Sequence, residues 1–95
     1  MVLETARFSI TPGREDDFAL AYAQGRELLV ATPGCRTIRM TRGIESPSSF
    51  VLMVEWDSLD DHQVGFRQSE RFPAWRALIS PFFAEPPAVE HYADL

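Results

Sequence analysis

His62 is one of only two histidines in the chain, and it begins a stretch rich in aromatic residues, HQVGFRQSERFPAW. Leu59 stands three residues before it and Phe66 four residues after it, so a helix would place all three on one face. An imidazole has a pKa near neutrality and can accept the proton of a phenol or an enol. The spacing leaves two interpretations open: a general base in a pocket, or a core histidine hydrogen-bonded to the backbone or to a hydroxyl.

The aromatic residues are the second candidate for chemistry. They make up 12% of the chain, which exceeds the need of so small a core. A concave apolar site with a few polar groups is the usual form of a ligand site. The set that could either fill the core or line such a pocket is Trp56, Phe66, Phe72, Trp75, Phe82 and Phe83.

The sequence lacks the motifs of other kinds of functional site. Two histidines and scattered carboxylates give no metal-ligand spacing, so no metal is expected. Glycine-rich nucleotide motifs and a Gly-x-Ser-x-Gly elbow are missing, and so short a chain leaves little room for a flavin or a nicotinamide. We therefore expect no cofactor, with catalysis by side chains on a reactive substrate. The lone Cys35 is expected to be a structural thiol and His91 a surface or sheet-edge residue.

Length and charge restrict the class of protein. Ninety-five residues suffice for one domain with a single core, covering residues 1–95. The net charge of −5 argues against nucleic acid as a partner, because binding phosphates requires a basic surface. No apolar run approaches the roughly 18 residues of a membrane span, and the amino terminus lacks the apolar region of a signal peptide. A cytoplasmic protein without membrane contact is expected.

The elements that must position these residues follow from periodicity. Apolar residues alternate at 2–10 and predict a strand, with Glu4 as the exception on the apolar face. A helix follows up to Pro33-Gly34, and Gly25 lies on its apolar face, for close packing on the sheet or as room for a ligand. Further strands are predicted at 35–44, 50–56 and in the tail AVEHYADL, and further helices from residue 57 and over 69–80. This order, β-α-β-β-α-β, predicts an α+β, ferredoxin-like fold with an antiparallel sheet and helices on one face.

The strand at 50–56, FVLMVEW, is apolar on both of its faces. Such a strand must be covered on both sides. Two helices of this size cover only one face of a small sheet. The pattern therefore predicts a partner on the open sheet face, with a homodimer as the simplest form.

Essentially the whole chain resembles the antibiotic biosynthesis monooxygenase domain family. The stretch FVLMVEWDSLDDHQVGFRQSERFPAWRALISPFF followed by VEHY carries the resemblance, together with the Pro-Gly pairs before the first helix and before the second strand. The resemblance implies a dimeric α+β barrel, in which two sheets pack face to face, and a pocket in each protomer between sheet and helices. Some members oxidise polyketide anthrones or quinols with dioxygen and no cofactor, and others degrade haem.

Neither activity carries over residue by residue. The polyketide-oxidising members share a tryptophan at Trp56, but their asparagine falls at Leu52 and their tyrosine at His62. The haem-degrading members place a tryptophan at Phe66 and the iron-ligating histidine at Arg76, and they use an asparagine, a residue type that this chain lacks. The anthrone-type chemistry therefore depends on His62 taking a polar role, and haem degradation is the weaker alternative.

The leading hypothesis is a cofactor-independent monooxygenase acting with dioxygen on a small phenolic, polyketide or quinol-like aromatic. His62 would be the general base. The alternative from another class is a non-catalytic dimer that binds a hydrophobic metabolite. The residues expected to contact the substrate are Trp56, Phe66, Phe72 and Trp75 as apolar walls, and Tyr22 or Arg76 as the group that holds its oxygen.

Overall fold

Four strands form one antiparallel sheet in the computed structural model, which describes residues 1–95. Along the sheet the order is β2-β3-β1-β4, so the first and third strands are central and the fourth is an edge strand. The chain order β-α-β-β-α-β confirms the predicted ferredoxin-like fold. The strands are β1 (Val2–Ser9), β2 (Cys35–Arg42), β3 (Ser49–Trp56) and β4 (Ala88–Ala93).

The helices cover one face of this sheet, which we call the inner face. Helix α1 (Glu15–Val30) begins with three acidic residues, which suit the positive end of its dipole. It ends at a turn in which Gly34 has a φ of +90°, a conformation that favours glycine. A π-helix (Asp61–Phe66), helix α2 (Arg71–Ile79) and a 3₁₀ turn (Ser80–Phe82) follow β3. Of these helices, none combines the length and apolar character needed to cross a bilayer.

The core lies between the inner face and the helices. Alternation places the buried residues of β1 and β3 on this face, because successive side chains of a strand point to opposite sides. The fully or nearly fully buried apolar residues are Ala6, Phe8, Ile10, Phe18, Leu29, Phe50, Leu52, Val54, Trp56, Phe66, Trp75 and Ile79. Glu4, the exception in the alternation of β1, is buried among them.

The outer face of the sheet has no helix against it. Val51 and Met53 are only half-buried there, and Tyr92 of the edge strand is 49% exposed. A shallow depression on this face is lined by Leu3, Thr5, Arg7, Val51, Ala88, Glu90 and Tyr92. The homodimer through this face stays a prediction.

Three local expectations were wrong. The second strand ends at Arg42 rather than at residue 44, and Ile44 is 91% exposed in the following turn. Leu59 is also exposed, so it does not share the buried surface of His62. Gly25 packs closely on helix α2 rather than on the sheet, since a Cβ at this position would lie 2.8 Å from Cε3 of Trp75.

Candidate active site

A cavity of about 280 Å³ lies between the inner face of the sheet and the helices. This volume is near the lower end for small-molecule sites. An engineered cavity of about 150 Å³ holds benzene, so a compound of one or two rings is of suitable size. Its apolar walls are Ala6, Phe8, Leu29, Leu52, Phe66, Phe72, Trp75, Ile79, Phe83 and Val89, with Pro86 and Pro87. Its polar lining consists of Glu4, His62, Arg67 and Arg76.

The sheet places the carboxyl group of Glu4 at this cavity. Glu4 lies on the inner face of the central strand β1, directly opposite His91 of β4 in the antiparallel ladder. Two residues further along β1, Ala6 also lines the cavity. Because Ala6 has a small side chain, it leaves free space beside the carboxyl group.

The π-helix places His62, Phe66 and Arg67 against the same cavity. The backbone N–H of Arg67 donates to the carbonyl of His62 over 2.9 Å. This five-residue spacing is the hydrogen bond of a π-helix, which brings residue i+5 above residue i. In an α-helix, the geometry expected from the sequence, the side chains of His62 and Arg67 would point in different directions.

His62 is almost fully buried, with 3% of its surface exposed, and both of its ring nitrogens face protein groups. Nδ1 forms a hydrogen bond with Nε2 of His91 at 2.7 Å, and Nε2 lies 3.4 Å from Oε1 of Glu4. The ring stacks on Trp56 at a centroid distance of 5.1 Å and lies nearly parallel to Phe66 at 6.2 Å. These contacts hold the imidazole in one orientation.

Glu4 is the group whose charge changes near neutral pH. Burial raises the pKa of its carboxyl to about 7, although the hydrogen bond from Trp56 and the charge of Arg67 both lower it. The indole Nε1 of Trp56 donates to Oε1 over 2.9 Å. The second oxygen, Oε2, has no hydrogen-bond partner in the chain. Every side-chain oxygen or nitrogen that is fully enclosed does have such a partner. Oε2 therefore retains accessible surface, and we assign that surface to the cavity that Glu4 lines.

The two histidines are neutral at pH 7. Burial, together with the smaller effects of His91 and Arg67, lowers the pKa of His62 to about 4. Burial also lowers the pKa of His91, with Arg67 as the second cause. In the neutral pair one imidazole N–H donates to the other ring, so Glu4, His62 and His91 form a continuous chain of contacts from the cavity to the edge strand.

Most of the predicted site residues meet at this cavity. His62, Phe66, Phe72, Trp75 and Arg76 all line it. Two residues that were predicted to contact the substrate do not line the cavity. Trp56 lies behind His62 and hydrogen-bonds to Glu4, and Tyr22 contacts Trp75 edge-on at 6.4 Å. Both of these residues support the lining instead of forming it.

Three residues of the site were missed or misplaced. Glu4 stood out in the sequence as a carboxylate on an apolar strand face, and that signal identifies a buried acid. His91 was expected at the surface or at a sheet edge; it does lie on the edge strand, but it is half-buried on the inner face because it is in register with Glu4. Arg67 was not among the predicted site residues, and the π-helix turns it to the cavity.

Other reactive groups do not add to this site. The pKa of the Cys35 thiol is raised to about 11 by burial and by the charge of Glu4, so the sulfur is protonated at neutral pH. No group of three His, Cys, Asp or Glu side chains is arranged to hold a metal ion. In the cluster of Glu4, His62 and His91, the nitrogens of His62 face its two neighbours instead of a shared central point.

Comparison with known proteins places the chain in a family. The family model for antibiotic biosynthesis monooxygenase matches residues 1–78. The chain belongs to this family. The Bacillus subtilis protein YczJ, which is uncharacterized, is 35% identical over 95 residues, which covers all of both chains.

Solved structures have the same architecture. A protein from Bordetella bronchiseptica that is provisionally assigned as an antibiotic biosynthesis monooxygenase is 41% identical, with a TM-score of 0.95 over 99% of this chain and 96% of that chain. SnoaB from Streptomyces nogalater, a cofactor-independent oxygenase, is 15% identical, with a TM-score of 0.86 over 99% of this chain and 92% of that chain. At this low identity, the similarity to SnoaB concerns the fold.

Proposed function

We propose that this member of the family is a monooxygenase that oxidises a small phenolic or quinol-like aromatic with dioxygen and without a bound cofactor. The observation that carries the proposal is the carboxyl group of Glu4, which has a pKa of about 7 and opens into an apolar cavity. A general base works best when its pKa is near the working pH. The apolar walls suit an aromatic ring, and SnoaB provides a precedent for cofactor-independent oxygenation on this fold.

Glu4 is a better proton acceptor in this cavity than His62, the base that the sequence suggests. A pKa of about 4 makes the imidazole of His62 weakly basic, and both of its nitrogens already face protein groups. Oε2 of Glu4 has no such partner. We therefore assign proton abstraction to Glu4, and we assign to His62 the role of orienting the carboxyl group and linking it to His91.

The proposed reaction balances without a further reductant. Glu4 takes the hydroxyl proton of the substrate, and the resulting anion transfers one electron to dioxygen. Superoxide and the substrate radical combine at a ring carbon, and Glu4 returns its proton to the new peroxide oxygen. Loss of water then converts the C–H of that carbon to C=O, so one oxygen atom enters the product and the other leaves as water.

The assembly belongs to the same proposal. Residues 1–95 would act as one domain, and two copies would pair through their outer sheet faces. The cavity lies on the opposite side of the sheet from the depression at Val51, so the pairing would leave its lining in one protomer. Each protomer would then have a separate site.

Oxygen consumption with a panel of naphthols, anthrones and quinols tests the proposed reaction. We expect uptake of one dioxygen per substrate, at a rate above autoxidation without protein, and one ¹⁸O atom in the product when ¹⁸O₂ is supplied. Addition of flavin or of a metal chelator should leave the rate unchanged. Product formation that persists unchanged under strict anoxia would eliminate this class of reaction.

Two alternatives give other results in simple assays. A non-catalytic binding protein would bind the same aromatic compounds without consuming oxygen. A haem-degrading enzyme would shift the Soret band of hemin on titration, but the position of the iron-ligating histidine is occupied by Arg76, and neither nitrogen of His62 is free to coordinate iron. The geometry therefore favours the oxidation of a phenol over that of haem.

A further inference from the structure

We propose that the opening of the cavity recognises a carboxylate, so that the ligand is a hydroxylated aromatic acid held between Arg67 and Arg76. This inference rests on the proposed function because it concerns the same cavity, and it adds the class of substrate. Both arginines line the cavity, and both are exposed, which places them at its opening. The ring of the ligand would lie against the apolar walls below them.

Both guanidinium groups lie beside the ring of Phe72, which is part of the cavity wall. The Cζ atom of Arg67 is 5.0 Å from the ring centroid of Phe72, and that of Arg76 is 6.0 Å from the same centroid. Arg76 also lies 5.8 Å from the ring of Phe83. Both cations therefore border the same wall of the cavity, and because both side chains are long and exposed, they can turn toward one carboxylate at its opening.

Neither guanidinium group has a polar partner in the chain. The arginines that form ion pairs with carboxylates are Arg14, Arg26 and Arg36, and Arg42 and Arg71 donate to uncharged oxygens. Fourteen acidic residues are present in a chain with a net charge of −5, yet none pairs with Arg67 or Arg76. Five N–H donors on each guanidinium remain available, and their planar arrangement fits a carboxylate.

The polar groups of the site have complementary roles in this arrangement. Arg67 acts on the inner groups as well, because its positive charge lowers the pKa values of Glu4, His62 and His91. A ligand with a carboxylate at the opening and a hydroxyl group further in would meet the arginines and Glu4 at the same time. Such a molecule would be oriented before any reaction begins.

Anaerobic binding of two matched compounds tests the inference. 6-Hydroxy-2-naphthoate and 2-naphthol share a ring system and a hydroxyl group and differ in the carboxylate, which lies at the far end of the ring system from the hydroxyl. The fluorescence of Trp75, which lines the cavity, or calorimetry would report binding. We expect the carboxylate compound to bind at least about tenfold more tightly, because only its carboxylate can accept charge-assisted hydrogen bonds from the two guanidinium groups.

Variants assign this preference to the two arginines. Arg67→Gln and Arg76→Gln should each reduce the preference, the double variant should abolish it, and affinity for 2-naphthol should change less than about threefold. Arg14→Gln is the control, since Arg14 lies 4.8 Å from the ring of Phe82 but does not line the cavity. Added salt should weaken binding of the carboxylate in the unmodified protein, because exposed charges are screened.

Equal affinity for the two compounds would overturn the inference, as would a preference that the double variant retains or failure of both compounds to bind. The variants carry substitutions of exposed residues, and circular dichroism would verify that they are folded. Binding is measured without oxygen, so its result is independent of catalysis. If the carboxylate preference holds but no compound consumes oxygen in air, the oxidation is wrong and the recognition of aromatic acids stands.

Discussion

The two faces of the sheet have the same alternating pattern but different surroundings. The inner face is covered by helices and is apolar except around Glu4, where a buried carboxyl group requires the indole of Trp56 as its donor. The outer face combines half-buried Val51 and Met53 with polar residues and has no cover within the chain. An isolated polar group on a covered face indicates chemistry, whereas apolar residues on an uncovered face indicate assembly. Substitutions on each face should therefore alter different properties.

The largest effect is expected from Glu4→Gln on the inner face. Glutamine keeps the shape of the side chain and an oxygen that accepts from Trp56, but it cannot take up a proton. Turnover should fall by about 10²–10⁴-fold, the usual contribution of a general base, while the aromatic ligand still binds. Steady-state oxygen consumption measures this. Glu70→Gln, which changes an exposed glutamate at the start of α2, is the control. Full turnover in the Glu4 variant would assign Glu4 to structure alone.

The outer face should respond through association. The protein should sediment as a dimer at micromolar concentration, with an interface of about 2,000 Å² or more. Val51→Asp should weaken the dimer at least about 100-fold, since an unpaired buried charge costs roughly 3–5 kcal/mol. Val64→Asp introduces the same charge at an exposed position of the π-helix and should leave the dimer intact. A stable monomer of the unmodified protein would disprove the expected assembly.

The inner face should also show an unusual dependence of stability on pH. The pKa of Glu4 is raised in the folded state. Its contribution to the free energy of unfolding is therefore fully present below the ordinary glutamate pKa of 4.5 and is lost as pH rises through about 7. The pKa of His62 is lowered in the folded state. Its contribution to the free energy of unfolding is therefore present above pH 6.5, the ordinary histidine pKa, and is lost as pH falls through about 4. Between pH 4.5 and 6.5 the two effects oppose each other.

Glu4→Gln separates these two effects. Relative to the unmodified protein, the variant should gain stability as pH rises from 4.5 to above 7, by roughly 3 kcal/mol at most. Denaturant unfolding at a series of pH values measures the difference. A difference that does not change with pH would mean that Glu4 titrates at the same pH in the folded and unfolded chains.

The smallest effect is expected at Gly25, where helix α1 packs against Trp75 of helix α2. A methyl group at Gly25 would lie 2.8 Å from the ring of Trp75. Gly25→Ala should destabilise the fold by roughly 1–2 kcal/mol, after the helical preference of alanine offsets part of the strain. Gly65→Ala is the matched control, because its methyl group would meet only the carbonyl of Asp60 at 3.8 Å. Equal unfolding free energies for the two variants would contradict this account of the contact.

The sequence was sufficient to predict the fold because its signals are local. Alternation in β1 and β3 and the three-and-four spacing in α1 determine which faces are buried, and the open outer face follows from FVLMVEW. His62, Phe66, Phe72, Trp75 and Arg76 were also found among the aromatic and polar residues of one segment.

The rest of the site depends on geometry that periodicity does not report. Arg67 reaches the cavity because of one π-helical hydrogen bond, and His91 is buried because of the register between β1 and β4. The protonation of the site follows from three-dimensional burial, which makes the carboxyl of Glu4 a better proton acceptor at neutral pH than the imidazole of His62. Neither residue type nor spacing could show this difference in protonation, on which the proposed role of Glu4 rests.

The most direct test of the account is the titration of Glu4 itself, which requires no knowledge of the substrate. ¹³C nuclear magnetic resonance of the side-chain carboxyl groups would follow each glutamate, and Glu4→Gln would assign the signal by its disappearance. We expect a midpoint of about 7 for Glu4. A midpoint near 4.5, the ordinary pKa of a glutamate, would show that this carboxyl group is not held in the state that the proposed chemistry requires.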